Sequence, residues 1–339
     1  MVSMQSFFRK RRRTRHKPGV VHKIRTYIRQ SSIIIVLALA GCATGWFNDS
    51  GKREFLQPWV ELTGAQMSMS AGAHRTDYIV FQRPAALSVR GNALYLADAG
   101  LRRIFRYDRT QQMLTPFATN LPVEAGMSIY AAPDESVYIT LPSTGKVLHF
   151  SWGGIPLPSL AAPGIVARPI SVAVDEHTGN VLVADDLYNH IVVFSNLGGM
   201  LAVIKPPQVQ SVSAIATGPD GIYVIDRLAK RVVVLGREGD FRYAFGADSS
   251  SDPGSITVNR DNLVFLGDNF DNTVRVFKAQ VTKETLLAGK IGGVGASDNF
   301  NGIGGLAVED DMLYVADSLN ARIQAFLINP EAMGSGEMN

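Results

Sequence analysis

The fold is decided by the stretch Leu94-Tyr95-Leu96-Ala97-Asp98, because the same pattern returns at regular intervals along the chain. An apolar run ends in aspartate in five copies, and in the remaining copy it ends in Leu141. The copies end at residues 98, 141, 185, 226, 268 and 317, so successive intervals are 43, 44, 41, 42 and 49 residues. A period of about 40 to 45 residues predicts a repeat architecture in which each unit is one small sheet.

Each copy is flanked by further strand-like segments. A β-branched residue follows six positions after each anchor and a large apolar residue nine positions after it, as in Ile104 and Tyr107. Small and aliphatic residues alternate before the anchor, as in Ser171-Val172-Ala173-Val174, and a fourth segment such as Phe241 to Phe245 follows. Four short strands per period predict an all-β chain, a six-bladed β-propeller.

The last unit lacks its own fourth strand, because only a polar tail follows Ile328. An N-terminal segment is therefore expected to close the ring and remove the exposed sheet edges. Two segments are candidates for this strand, Tyr78 to Phe81 and Trp59 to Leu62.

The complete unit resembles the NHL repeat. The resemblance rests on Arg-Pro before the first strand (Arg83-Pro84 and Arg168-Pro169), on the strand ending in Ala-Asp, and on Arg322-Ile323-Gln324 after the turn. It implies a six-bladed propeller over about 250 residues, a fold that hosts enzymes, sensors and passive scaffolds alike.

The first 41 residues read as an export signal, with a basic region followed by the short apolar run Ile33 to Ala40. The run is much shorter than the about 20 residues that a membrane-spanning helix needs. Residues 39–42, Leu39-Ala40-Gly41-Cys42, resemble the lipobox of bacterial lipoproteins; the alternative is a chance cysteine after an ordinary signal peptide. The resemblance implies that Cys42, the only cysteine, is acylated, and that the protein lies on the outer membrane facing the periplasm, since Ala43 rather than Asp follows.

The charge of the chain is divided between this leader and the rest. The 339 residues include 33 Lys and Arg against 30 Asp and Glu. Ten of the basic residues fall in the first 41 positions, which contain no acidic residue, so the remainder carries a net charge of −7. A nucleic-acid-binding domain needs a basic face, and we therefore expect no nucleic-acid partner.

These observations divide the chain into four parts. We expect a signal peptide over residues 1–41, a tether over 42–57, the propeller over 58–328 and a polar tail over 329–339. The propeller is expected to be monomeric and attached to the membrane through the lipid on Cys42.

The recurring aspartates allow two interpretations. They are Asp98, Asp185, Asp226, Asp268 and Asp317. They could form a ring of functional carboxylates, or each could cap its own turn and meet a basic side chain five residues later, such as Arg231 or Arg322. Residues repeated once per blade are spread around a ring rather than gathered at one point, which favours the structural interpretation.

No metal or cofactor is expected. Related amidating lyases hold zinc with channel histidines, and gluconolactonase-like propellers hold axial calcium with Glu, Asn and Asp, whereas the first strands here offer mostly Ser, Ala, Ile and Val. The segments 268–272 and 298–302 are rich in oxygen ligands but lack EF-hand spacing and are typical of turns. The glycine-rich stretch from Gly289 to Gly305 fits no nucleotide-binding motif and is interpreted as a long connection.

The sequence thus favours a non-catalytic binding or scaffold module for another envelope protein or polymer. Its candidate interaction residues lie in the loops between second and third strands, and they are Arg102, Asp186, Tyr188, Asn189, Arg227, Lys230, Phe270, Asp271 and Asn320. Tyr, Arg and Phe are common interface anchors. The alternative is a metal-dependent lyase or lactonase with an axial site, which requires three or more convergent Asp, Glu, Asn or His side chains in the channel.

Overall fold

Twenty-six strands in six sheets make up the computed structural model, which describes residues 55–68, 76–278, 286–293 and 299–329. The described residues belong to one unit. No helix within these ranges is long and apolar enough to cross a membrane. The predicted signal peptide, Cys42 and nearly all of the polar tail lie outside the described residues.

The chain enters the fold through β1 (Leu56–Leu62) and then builds blade one. The strands of blade one are β2 (Gly64–Ser68), β3 (Thr76–Val80), β4 (Pro84–Arg90), β5 (Ala93–Asp98), β6 (Arg103–Asp108) and β7 (Met113–Phe117). Their order in the sheet is β3-β2-β7-β6-β5-β4, with β2 parallel to β7. Blade one therefore carries a two-stranded extension outside the usual four strands.

Blades two to five are four-stranded antiparallel sheets in sequence order. Blade two consists of β8 (Ile129–Ala131), β9 (Val137–Leu141), β10 (Lys146–Phe150) and β11 (Pro156–Leu160), with a short 3-10 helix at Pro142–Thr144. Blade three consists of β12 (Pro169–Val174), β13 (Val181–Asp185), β14 (His190–Phe194) and β15 (Met200–Ile204). Blade four consists of β16 (Val212–Gly218), β17 (Gly221–Asp226), β18 (Arg231–Leu235) and β19 (Phe241–Phe245). Blade five consists of β20 (Pro253–Val258), β21 (Leu263–Asp268), β22 (Thr273–Lys278) and β23 (Leu286–Gly292).

Blade six closes the ring as predicted, with β1 as its fourth strand. It contains β24 (Ile303–Glu309), β25 (Met312–Asp317) and β26 (Arg322–Ile328), and β1 pairs antiparallel with β26 from Leu56 opposite Ile328 to Leu62 opposite Ile323. Of the two candidate segments, Trp59 to Leu62 closes the ring, whereas Tyr78 belongs to β3 of blade one. The first and last parts of the fold are thereby held in one sheet.

Two boundaries differ from the sequence-based expectation. Leu56 and Gln57, assigned to the tether, begin β1, because Leu56 is buried and packs in one cluster with Phe326 and Ile328. The first residues of the predicted glycine-rich connection, up to Gly292, form β23, because their backbone completes the hydrogen-bonding edge of β22.

The core lies between neighbouring blades. One cluster joins Leu87 and Leu96 of blade one to Ala316 and Ile323 of blade six, and the other clusters join the remaining blades in the same way. The innermost strands β4, β8, β12, β16, β20 and β24 contact one another in a closed circle. Small residues are required there: a Cβ at Gly304 would lie 2.7 Å from the backbone oxygen of Pro84 in the next blade.

Antiparallel pairing sorts the loops onto two faces. The turns between second and third strands, residues 98–103, 141–146, 185–190, 226–231, 268–273 and 317–322, lie beside the connections that enter each first strand, and we call this side the turn face. Asn189 and Asn272 on this face reach across to the start of the next blade, where their Oδ1 atoms accept hydrogen bonds from the N–H of Val212 (2.7 Å) and Gly302 (2.8 Å). The loops between first and second and between third and fourth strands form the opposite face.

Candidate binding face and channel

Each recurring aspartate ties its own turn to the connection that enters its blade. All five aspartates are fully buried. The carboxylate of Asp98 accepts four backbone N–H groups, from Gln82 (2.8 Å), Arg83 (3.0 Å), Gly100 (2.9 Å) and Leu101 (2.9 Å). Asp185 and Asp268 likewise accept N–H groups from both segments. The carboxylates thus satisfy buried backbone donors, a role that reaches further than the predicted capping of a single turn.

The basic partners of these aspartates follow the repeat only in part. Arg322 contacts Asp317 at 2.7 Å and Arg231 approaches Asp226 at 3.8 Å, both five residues later. Asp268 instead meets Arg275 at 2.9 Å, seven residues later, because the side chain at position 273 is threonine. In blade three, Nε2 of His190 forms a hydrogen bond with the carbonyl oxygen of Ile165 at 2.9 Å.

All six turns share one left-handed residue, four positions after the anchor. These residues are Arg102, Gly145, Asn189, Lys230, Asn272 and Ala321, with φ between 52° and 64°. Five of them are not glycine, so the buried aspartate and the strand pairing hold a backbone conformation that an L-residue adopts at some cost. The turns of the five blades that contain the aspartate therefore share this left-handed conformation.

Several sequence-predicted interaction residues are engaged within the protein. Asp186 pairs with Arg168 at 2.5 Å and Arg227 with Asp252 at 3.0 Å. Asp271 pairs with Arg275 and Lys290, and Asn320 donates to Asp317 at 2.9 Å. Although burial opposes it, hydrogen bonds from Thr273 and Lys290 and the charge of Arg275 hold the pKa of Asp271 below its ordinary value.

Four apolar side chains are exposed at one repeat position, two residues after the anchor. We call Leu187, Leu228, Phe270 and Leu319 the apolar tips; their exposed fractions are 57%, 69%, 76% and 62%. They lie on the consecutive blades three to six, and Tyr188 beside Leu187 is 48% exposed. Phe270 and Tyr188 were predicted from the sequence as interaction residues, whereas the three leucines were not, although all three follow the aspartate at the same spacing.

The apolar tips lie on turns beside one mouth of the central channel. Asp186, Arg227 and Asn269, each directly before a tip, line a cavity of about 1070 Å³ that runs along the innermost strands. The cavity wall consists mainly of small and aliphatic residues such as Ala86, Ile129 and Ile215. The turn face thus combines a channel entrance with an apolar rim on four blades.

The other mouth of the channel is crossed by ion pairs. The guanidinium of Arg90 contacts Glu176 of blade three at 2.7 Å and Glu309 of blade six at 3.7 Å. Burial by itself lowers the pKa of Arg90, but the hydrogen bond to Glu176 and the charge of Glu309 outweigh it and raise the pKa. Because the side chain of Arg90 links three blades, ion pairs hold the blades together at this end of the channel.

The alternative hypothesis requires an axial metal site in the channel. Among the residues that the structure describes, no group of three or more His, Cys, Asp and Glu side chains could hold a metal ion. The only histidine among the cavity-lining residues of this part of the chain is His177, at the opposite mouth, with its side chain 68% exposed.

Taken together, six radially arranged sheets around a central channel define the chain as a six-bladed β-propeller. No protein-family model and no curated protein matches the sequence. The similarity of this chain to known proteins is therefore a similarity of fold.

Several solved structures share this fold. Virginiamycin B lyase from Staphylococcus aureus matches with a TM-score of 0.55 at 14% sequence identity, over 73% of this chain and 96% of that chain. A streptogramin B lyase structure matches with a TM-score of 0.54 at 12% identity, over 74% and 94% of the two chains. A protein of unknown function from Bacteroides thetaiotaomicron matches with a TM-score of 0.57 at 15% identity, over 74% and 70%.

Proposed function

We propose that this protein is a lipid-anchored, non-catalytic binding module of the bacterial cell envelope, on the outer membrane and facing the periplasm. It binds another envelope protein or polymer through its turn face. The observation that carries this proposal is the exposure of the four apolar tips at one repeated position. The membrane attachment rests on the lipobox resemblance of residues 39–42.

Exposed leucine and phenylalanine side chains gathered on one face are typical of binding surfaces. Large apolar groups that stay in water cost free energy, and a partner that covers them gains about 25 cal/mol for each Å² buried. The turns that carry the tips are held by buried carboxylates and a shared left-handed residue. A rigid surface loses little conformational entropy on binding, which increases affinity.

The alternative function is a metal-dependent lyase or lactonase acting in the channel. Two of the similar structures are lyases. At 12% to 14% identity this likeness concerns the fold, and a propeller fold hosts many unrelated functions. No group of three or more His, Cys, Asp and Glu side chains among the described residues could hold the metal, and the exposed apolar tips favour the binding module.

Affinity capture from solubilised envelopes tests the binding function. The full chain is compared with the variant Leu187→Ser/Leu228→Ser/Leu319→Ser, which removes three apolar tips and leaves the turn backbone unchanged. We expect the wild-type protein to retain a specific partner after stringent washing and the variant to lose at least nine-tenths of it.

A matched control replaces three equally exposed apolar residues elsewhere. Ile155, Leu197 and Leu201 are 68%, 91% and 57% exposed on blades two and three, outside the turn face. The variant Ile155→Ser/Leu197→Ser/Leu201→Ser should capture the partner normally. Equal capture by both variants would contradict the assignment of the turn face, and turnover of a lactone or cyclic ester that depends on added metal would favour the enzyme.

A further inference from the structure

We infer that β15, the outermost strand of blade three, pairs with the same strand of a second copy of this chain and forms a symmetric dimer. The inference goes beyond the proposed function, because β15 lies at the outer rim of the ring rather than on the turn face. It differs from the monomer expected from the sequence. It is carried by the composition of β15, which lacks the protection that the other described sheet edges have.

The outer side of β15 is an open sheet edge. An outermost strand directs alternate N–H and C=O groups away from its own sheet, where another strand can pair with them. β15 pairs with β14 on one side, and no described strand pairs with its other side. Natural proteins place proline, charged side chains or a covering segment at such edges, because an open edge otherwise recruits further strands.

The other five outermost strands of the described sheets carry this protection. β1 contains Pro58 and Glu61, β3 contains Asp77, β11 contains two prolines, β19 contains Arg242 and β23 contains Lys290. β15 reads Met200-Leu201-Ala202-Val203-Ile204, with no proline and no charged residue. A bulge interrupts the outermost pairing in blades two to six alike, so it does not distinguish β15.

The side chains at this edge are apolar and exposed. Met200, Leu201 and Val203 are 45%, 57% and 36% exposed, and Leu197 in the turn before β15 is 91% exposed. A partner that covers them removes apolar surface from water, which favours association. The edge therefore offers backbone hydrogen bonds and apolar contacts to the same partner.

A second copy fits this edge because β15 is self-complementary. In an antiparallel pair with its two-fold axis at Ala202, Leu201 of each copy lies opposite Val203 of the other, and the two Ala202 residues meet at the axis. Apolar cross-strand pairs of this kind stabilise a sheet. Lys205, the nearest charged residue along the chain, then lies opposite Gly199 of the other copy, which keeps the two lysines about 20 Å apart.

The size of the contact determines its strength. The exposed side chains from Leu197 to Val203 present about 500 Å² per copy, so the pairing buries about 1,000 Å² in total. Stable interfaces bury about 1,200 to 2,000 Å², and smaller ones are typical of transient complexes. We therefore expect a dimer that dissociates on dilution.

Sedimentation of the full chain in detergent measures the association. We expect the wild-type chain to be mostly dimeric at about 100 µM and mostly monomeric at about 1 µM. Leu201→Lys/Val203→Lys places charges on the edge and should weaken association at least tenfold. The matched control Trp59→Lys/Val60→Lys changes the charge equally at exposed positions of β1 in blade six and should associate within twofold of wild type. A monomeric wild-type chain at about 100 µM, or equal losses in both variants, would overturn the inference.

Photo-cross-linking in intact envelopes identifies what covers the edge, and it leaves β15 uncharged. Met200→benzoylphenylalanine places the photoreactive group on the edge, and Val60→benzoylphenylalanine places it on β1 as the matched control. We expect the first variant to give a product of two copies of the chain, at least tenfold more abundant than in the control. Cross-linking of Met200→benzoylphenylalanine to a different polypeptide would overturn the inference in favour of a strand from another protein, and a product no more abundant than in the control would overturn the use of this edge.

Discussion

Asp98→Ala should lower the free energy of unfolding more than the alanine replacement of a recurring aspartate whose carboxylate accepts fewer or longer hydrogen bonds. Four backbone N–H groups depend on this buried carboxylate, at 2.8 to 3.0 Å. An unsatisfied buried donor costs about 1 to 3 kcal/mol, and water entering the cavity recovers part of this free energy. We therefore expect Asp98→Ala to lower the free energy of unfolding by about 3 to 5 kcal/mol.

Two further variants grade the effect. Asp98→Asn keeps the Oδ1 acceptor for Arg83, Gly100 and Leu101 but turns a donor toward the N–H of Gln82, so the loss should be about 1 to 3 kcal/mol. Asp226→Ala should also lose about 1 to 3 kcal/mol, because the carboxylate bonds from Gln210, Ser211 and Ala229 are longer, at 3.1 to 3.4 Å.

Urea denaturation of the chain beginning at residue 43, followed by circular dichroism and tryptophan fluorescence, measures these losses. The control is Asp248→Ala, an exposed aspartate of the same face, with an expected change within about 0.5 kcal/mol. A loss below about 1 kcal/mol for Asp98→Ala, or a larger loss for Asp226→Ala, would refute the reasoning that backbone donors set the role of these carboxylates. Lost binding with unchanged stability would indicate a ligand site instead.

Three other predictions concern closure, pH and attachment. Deletion of residues 43–54 should leave cooperative unfolding intact, whereas deletion of 43–62 removes β1 and should cause aggregation visible by light scattering; a soluble, cooperative protein from the longer deletion would argue against closure by β1. Burial lowers the pKa of His149, so the unfolded chain binds a proton more readily than the folded chain, and stability should fall as the pH drops below about 6.5. His149→Phe should flatten this part of the profile of Tm against pH. An unchanged profile would contradict this role of His149. Cys42→Ser should leave an uncleaved precursor or release the protein from the membrane fraction; normal processing with membrane retention would rule out the lipid anchor.

The fold could be predicted from the sequence because each blade repeats one local pattern. The anchor aspartate, the β-branched residue six positions later and the large apolar residue nine positions later all report the same three strands in every unit. Even the aberrant blade two was identifiable, since Leu141 ends its second strand in the same position. The number of blades follows from the count of repeat units. Closure by an N-terminal strand follows because the last unit lacks a fourth strand of its own.

The closing strand and the properties of the turn face depended on the tertiary structure. Which of two apolar segments closes blade six was decided by the burial of Leu56 beside Ile328 rather than by strand propensity, since both segments form strands. Asp186 and Asp271 are bound by arginines outside their own turns, at Arg168 and Arg275, and such pairs cannot be inferred from the repeat alone. Local patterns determine strands through neighbouring residues, whereas the apolar tips come to lie on one face only when the blades place their turns on one side of a ring.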